Sequence, residues 1–176
     1  MKWIAFLPVA VAAVSGVAAF TVHASGYAEK KAAPVFGVTI PLGYRDWRLI
    51  SVAHEAGNLN DLRAIVGNDS AIAAYREGQF PFPDGTIIAR LAWSYVPSEE
   101  NNKVFGRPQS FVAGPATEWA LQFMVKDSKR YASTGGWGYA QFNKDGIPAD
   151  EAVHKTCFPC HEAVRTRDFV FTRYAP

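Results

Sequence analysis

The chain has 176 residues, of which 49% are hydrophobic and 19% are charged. This length suits one domain of about 100–200 residues, and the apolar content is sufficient for a packed core. Lysine and arginine number 18 against 16 aspartate and glutamate, which gives a net charge of +2. No basic stripe indicates a nucleic-acid partner. Composition therefore excludes fibrous proteins, polytopic membrane proteins and disulfide scaffolds.

The first 24 residues have the pattern of a signal peptide. Lys2 supplies a positive start, residues 3–20 are almost wholly apolar, and Val22-His23-Ala24 resembles a signal-peptidase site. The pattern predicts residues 1–24 as the signal peptide, residues 25–176 as one mature domain, and a periplasmic location. The alternative is a retained membrane anchor, because about eighteen apolar residues nearly span a bilayer.

After this segment, the residue pattern predicts mainly strands joined by tight turns. The clearest strand runs from Thr86 to Val96, where apolar residues alternate. A helix is predicted from Ser70, as N-cap, to Gly78. The other predicted elements are strands at residues 45–55, 61–66, 109–113, 117–126 and 137–142, a loop at 98–103, a short helix at 127–131, a turn at 143–146, and a last helix at 149–165 broken near Pro159. This order predicts an α+β fold with an antiparallel β-sheet and flanking helices.

The two cysteines of the chain lie in one motif, Cys157-Phe158-Pro159-Cys160-His161. This is the pattern of covalent c-type haem attachment, in which two thioethers hold the porphyrin and the histidine is brought to the iron. A thioredoxin-like site is disfavoured because that motif lies near the front of its domain. A structural zinc site lacks an obvious fourth ligand. The motif therefore predicts a haem c (iron) cofactor bound by Cys157 and Cys160 on a helix at the C-terminus, with His161 as the metal ligand.

The motif lies near the C-terminus, and this limits which residues could be the sixth ligand of the iron. Only 15 residues follow His161, and none is a methionine, whereas an electron-transfer cytochrome c carries a methionine ligand downstream. Met124 and His54 remain as candidate sixth ligands, and His154 is expected on the same side of the haem as His161. An iron with one protein ligand and an open position is favoured, and such iron binds small gaseous or nitrogen-oxide ligands.

Beyond the haem motif, several segments resemble the cytochrome P-460 family, which includes the cytochromes c′-beta. The similar segments, in order, are Gly43-Tyr44-Arg45-Asp46-Trp47, Asp84-Gly85-Thr86, the stretch from Val125 to Tyr131, the haem motif, and Phe169-Val170-Phe171-Thr172-Arg173. The resemblance implies a small antiparallel sheet, a homodimer, and a five-coordinate haem held by His161.

Two positions depart from the family's hydroxylamine-oxidising members. Those members carry a lysine that bonds to the haem, and the matching position here is Arg90. A protonated guanidinium is a far poorer nucleophile than a lysine amine. They also carry a distal carboxylate as proton acceptor, where Gln122 stands here, and an amide is no useful base. Arg90 and Gln122 are thus the catalytic candidates, although Arg90 could instead face solvent or bind a haem propionate, and Gln122 could be a surface amide.

Three functions are compatible with these residues. The first is a periplasmic haem protein that binds nitric oxide and similar small molecules. The second is hydroxylamine oxidation, in which electrons leave through the haem to a cytochrome partner. The third is simple electron transfer, which needs a sixth ligand such as Met124 or His54. The replacements at Arg90 and Gln122 favour the first.

Overall fold

The computed structural model describes residues 37–175, so the predicted signal peptide lies outside the described residues. The predicted α+β class is confirmed, because one sheet of five antiparallel strands is flanked by helices. The strands are paired in sequence order and are β1 (Arg48–Glu55), β2 (Asp61–Gly67), β3 (Ile87–Pro97), β4 (Phe111–Lys126) and β5 (Trp137–Phe142). The helices are α1 (Asp69–Glu77), α2 (Glu99–Phe105), α3 (Glu151–Lys155) and α4 (Cys157–Glu162). No helix among residues 37–175 is long and apolar enough to span a membrane.

Side chains alternate along each strand, so the two faces of the sheet pack against different parts of the chain. One face buries an apolar cluster centred on Phe123 and Phe142, which is covered by Val38 and Tyr44 from the segment before β1. The other face packs against α1 and against the C-terminal segment, where the backbone nitrogen of Ala175 donates to the Ile50 carbonyl over 2.9 Å. This second face also carries the main cavity.

Several predicted boundaries are wrong for local reasons. Helix α1 is capped by Asn68 rather than Ser70, since the Asn68 side chain accepts from the Ala71 amide. The predicted loop at 98–103 is helix α2, capped by the Ser98 side chain and begun by two glutamates that complement the helix dipole. Its exposed polar residues concealed it in the sequence.

Strand β4 is continuous where two strands were predicted. The gap between the predicted strands, residues 114–116, contains Pro115, which cannot donate to a sheet. The pairing of β3 with β4 instead shifts register on both sides of Trp93, and such bulges accommodate a proline. The predicted helix at 127–131 is a turn in which the Asp127 side chain accepts from the Lys129 and Arg130 amides.

The last predicted helix is divided into α3 and α4 at Thr156 rather than near Pro159. The Thr156 hydroxyl donates to the Val153 carbonyl over 2.7 Å, which satisfies the end of α3. Pro159 lies in the first turn of α4, where its missing N–H group costs no helical hydrogen bond. The haem motif therefore occupies its own short helix at the C-terminal side of the sheet.

Candidate haem site

The main cavity lies between the second sheet face, α4 and the C-terminal segment. Its volume is about 670 Å³, within the range of about 300–1,000 Å³ typical of ligand and cofactor sites. Cys157, Cys160 and His161 all line it. The structure therefore brings the whole predicted attachment motif to one cavity.

His161 is held in the state that a metal ligand requires. Its Nδ1 lies 2.7 Å from the Phe169 carbonyl oxygen, and a carbonyl only accepts, so Nδ1 carries the proton and donates. Nε2 is then the unprotonated nitrogen that can bind iron. Burial lowers the pKa of the imidazole, while the hydrogen bond to Phe169 acts in the opposite direction. Both the tautomer and the neutral charge suit ligation.

The two cysteines are free thiols beside this histidine. Cys157 is half-buried and Cys160 is exposed. Burial, with a smaller contribution from Cys160, raises the pKa of the Cys157 thiol. Cys157 packs against the apolar cluster on the second sheet face. Both cysteines therefore line the cavity, and Cys157 is the more buried of the two.

Two buried polar atoms in the cavity lining have no hydrogen-bond partner: the Tyr139 hydroxyl and Arg90 Nε. The Tyr139 ring lies 4.8 Å from the His161 ring, centroid to centroid, and burial raises the pKa of Tyr139. Buried donors without partners are costly. Both atoms are, however, shielded from the cavity as well as from solvent. Cys157, Cys160 and His161 do line the cavity together, with His161 Nε2 unprotonated, and these are the groups that a haem c requires. The cavity residues therefore fit the predicted cofactor.

Arg90 faces the cavity, but its guanidinium is already tethered. Nη2 donates to the Asp61 carboxylate over 2.8 Å, and Nη1 donates to the Trp119 carbonyl over 3.4 Å. Asp61 is 2% exposed and also accepts from Arg63, which bonds Glu55 in turn. The result is a cluster of two cations and two anions at the cavity wall. Arg90 is therefore neither a solvent-facing residue nor a free cation.

Gln122 also lines the cavity, directly across from Arg90 in the pairing of β3 and β4. Its Nε2 donates to Gln141 Oε1 over 2.8 Å. Gln141 is the cross-strand partner of Gln122 on β5. Arg90, Gln122 and Gln141 thus form one polar row across three strands on the cavity face, which disfavours the surface-amide interpretation of Gln122.

The other candidate iron ligands fall in different places. His54 lies outside the cavity lining, stacks on Tyr95 and contacts the Asn60 side chain. His154 is buried in α3, where Nε2 accepts from the Gln141 amide over 2.8 Å. Met124 does line the cavity. Of these three residues, only Met124 lines the cavity, so it alone remains a candidate sixth ligand.

Some residues in and beside the cavity were missed by sequence reasoning. Arg63 lines the cavity, and Asp61, its buried ion-pair partner, stands two positions earlier on the same face of β2. That spacing of charges in an otherwise apolar strand was the available signal. Tyr139 and Phe171, whose rings pack on His161, gave no local signal, because aromatic residues in strands usually belong to the core.

The fold and the cavity define an α+β protein in which one histidine and two cysteines line a single cavity. No cluster of three or more His, Cys, Asp or Glu side chains in the described chain could hold a bare metal ion. The family model for cytochrome P460 matches residues 41–172. The chain therefore belongs to the cytochrome P460 family, and it is a cytochrome with a haem cofactor. A comparison with curated proteins found no match.

Proposed function

We propose that this protein is an exported mono-haem c-type cytochrome whose five-coordinate iron binds small nitrogen oxides such as nitric oxide. The observation that carries the proposal is the common cavity of Cys157, Cys160 and His161, in which the His161 tautomer leaves Nε2 free. His54 and His154 lie outside its lining. When bound, the haem supplies an iron atom with one open coordination position for the ligand.

The residues of the polar row are suited to a neutral or weakly basic ligand. Arg90 and the Gln122–Gln141 pair offer hydrogen-bond donors without a free base. The tethered guanidinium is also unsuited to bond the haem. These features favour reversible binding over turnover of hydroxylamine, which requires loss of protons to a nearby acceptor.

Two alternatives have one supporting observation each. Glu55 lines the cavity, so a carboxylate is present for hydroxylamine oxidation, although it pairs with Arg63 over 3.2 Å. Met124 lines the cavity as well, so a six-coordinate electron carrier is the other candidate. Both alternatives would pass electrons to a cytochrome partner.

The visible spectrum of the purified protein separates these functions. We expect the reduced protein to be high-spin and to change on addition of carbon monoxide or nitric oxide. Met124→Leu should leave that spectrum unchanged. A low-spin wild-type spectrum that becomes high-spin in Met124→Leu would establish the electron carrier instead, and rapid reduction of the haem by hydroxylamine would favour the oxidase.

Two further features belong to the proposal. We propose cleavage after Ala24 and release into the periplasm, which the mass of the mature protein from a periplasmic extract would test. We also propose a homodimer, as the family resemblance implies. Sedimentation equilibrium of the holoprotein should give twice the mass of one chain, and a single-chain mass would contradict this.

A further inference from the structure

A buried ion pair links strand β4 to the C-terminal segment. Lys126 Nζ lies 2.7 and 2.9 Å from the two carboxylate oxygens of Asp168. The two side chains are only 6% and 8% exposed. Lys126 also donates to the Gly135 carbonyl and lies over the Trp137 ring, 5.0 Å from its centroid.

Asp168 is fixed by further contacts from separate parts of the chain. Its Oδ2 accepts from the Phe82 amide over 2.8 Å, and its own carbonyl accepts from Trp137 Nε1 over 2.8 Å. The carboxylate and carbonyl of one residue are therefore both bound, by β4, β5 and the loop before β3. Each of these donors lies far from Asp168 in sequence.

The residue that this network holds in place begins an unusual turn. Asp168 and Phe169 both have left-handed backbones, with φ of 51° and 64°, which residues other than glycine rarely adopt. The carbonyl of Phe169, immediately after Asp168, is the acceptor for His161 Nδ1 at 2.7 Å. The direction of that carbonyl therefore depends on the turn that the ion pair anchors.

We propose that Lys126 and Asp168 are positioning residues for the haem ligand: their ion pair holds the 168–169 turn so that the Phe169 carbonyl binds His161 Nδ1–H. This inference rests on the proposed function only in taking His161 as the iron ligand. A strong hydrogen bond from Nδ1 increases the donor strength of Nε2 toward a metal. The pair thereby strengthens the bond to iron and favours the oxidised state.

Stability alone gives little reason for such a pair. Replacing a buried ion pair by neutral groups is often without cost, because desolvation of the charges offsets their attraction. The pair and the other contacts of Asp168 instead fix the direction of one backbone turn, because together they connect three segments of the chain to it. A role in positioning therefore predicts effects on the iron that a merely structural role does not.

The test uses holoprotein carrying Asp168→Asn or Lys126→Met, and the double variant with both changes. Asparagine tolerates the left-handed backbone. Asp168→Asn therefore removes the charge while residue 168 can still adopt its left-handed conformation. The double variant leaves no uncompensated buried charge, and it serves if either single variant fails to fold. The readouts are the iron–histidine stretching band in the resonance Raman spectrum of the reduced protein and the haem reduction potential.

We expect the double variant to shift the iron–histidine band to lower frequency and the reduction potential to more positive values. The control is Lys144→Met with Asp145→Asn, which removes an ion pair of half-exposed side chains and should change neither readout. A folded double variant with the wild-type band and potential would overturn the inference, even if it unfolds at a lower temperature. Absence of the band in reduced wild-type protein would instead overturn His161 as the ligand of an open iron site, and the inference with it.

Discussion

At the level of single residues, the polar side chains at the cavity wall are held in place by the ion pairs and hydrogen bonds that they already make. Asp61 is 2% exposed and pairs with both Arg90 and Arg63. Burial lowers the pKa of the Arg90 guanidinium, and the charge of Arg63 acts in the same direction while Asp61 opposes them. Arg90 is thus held as a fixed donor at the cavity wall, and its position depends on one carboxylate.

Asp61→Ala should therefore be strongly destabilising. Removing one partner of a buried ion pair leaves uncompensated charge and costs about 3–5 kcal/mol. Urea unfolding monitored by circular dichroism measures the change in free energy. Asp145→Ala is the matched control, because its pair with Lys144 is half-exposed, and it should leave the unfolding curve unchanged. Equal, small effects of both substitutions would show that Asp61 is not needed to hold the two arginines.

The side chain at position 122 should determine whether the cavity can accept a proton from hydroxylamine. Gln122→Glu places a carboxylate beside Arg90 and Gln141 in the cavity. General-base catalysis is worth about 10²–10⁴-fold, so hydroxylamine-dependent reduction of an artificial electron acceptor should rise toward the lower end of that range. Rates are compared at equal haem concentration. Gln79→Glu, at an exposed position outside the cavity lining, should have no effect, and an unchanged rate in Gln122→Glu would remove residue 122 from the reaction site.

At the scale of elements, α1 is attached to the sheet through its cap. The Asn68 Oδ1 accepts from the Ala71 amide inside the helix and from the Ile87 amide at the start of β3, both over 3.1 Å. Its Nδ2 donates to the Gly85 carbonyl over 2.8 Å. One side chain thus fixes the helix start against the strand that carries Arg90.

Asn68→Ala should cost about 2 kcal/mol, since it removes a helix cap and leaves the Ile87 amide without its acceptor. Ser98→Ala removes only the cap of the exposed helix α2 and should cost about 1 kcal/mol or less. Thermal and urea unfolding of the two variants provide the comparison. A cost for Asn68→Ala no larger than that for Ser98→Ala would show that the contacts with β3 contribute nothing.

At the scale of the whole molecule, the sheet has one packed face and one face built around the cavity. The C-terminal segment closes the second face, with Val170 in its apolar cluster and Thr172 accepting from the Tyr75 hydroxyl. The haem motif on α4 lies between this segment and the sheet. A porphyrin in the cavity would therefore contact strands, helix and C-terminus together, and become part of the core.

We expect the haem to be attached covalently through Cys157 and Cys160. Thioether bonds survive acid–acetone extraction, so the denatured holoprotein should keep its haem and weigh one haem more than the apo-chain. Cys157→Ala with Cys160→Ala should abolish that retention. The control is Met124→Leu, which changes a cavity residue without removing a sulfur available for a thioether bond, and its haem should remain attached. Free haem in the extract of the wild-type protein would contradict c-type attachment.

The amino-acid sequence was sufficient to predict the features that depend on near neighbours along the chain. Alternating apolar residues predicted β3, and the five residues of the haem motif predicted the cofactor, because both patterns act within one turn or strand. The family followed from segments whose order runs along the chain. The predicted element boundaries were wrong near Asn68, Pro115 and Thr156. At these positions a side-chain cap or a register shift determines where the helix or strand begins and ends.

The pairing of polar side chains that are distant in sequence is set by the tertiary fold. Arg90 meets Asp61 across 29 positions, Gln122 meets Gln141 across 19, and Lys126 meets Asp168 across 42. The Arg90 and Gln122 contacts depend on strand register, because a shift of one residue would turn these side chains to the opposite face. The Lys126 contact depends on the position of Asp168, which lies in a turn outside the strands. Local sequence patterns do not indicate such long-range pairings. The chemistry of the haem motif was therefore predictable from the sequence, whereas the ion pairs and hydrogen bonds around it were not.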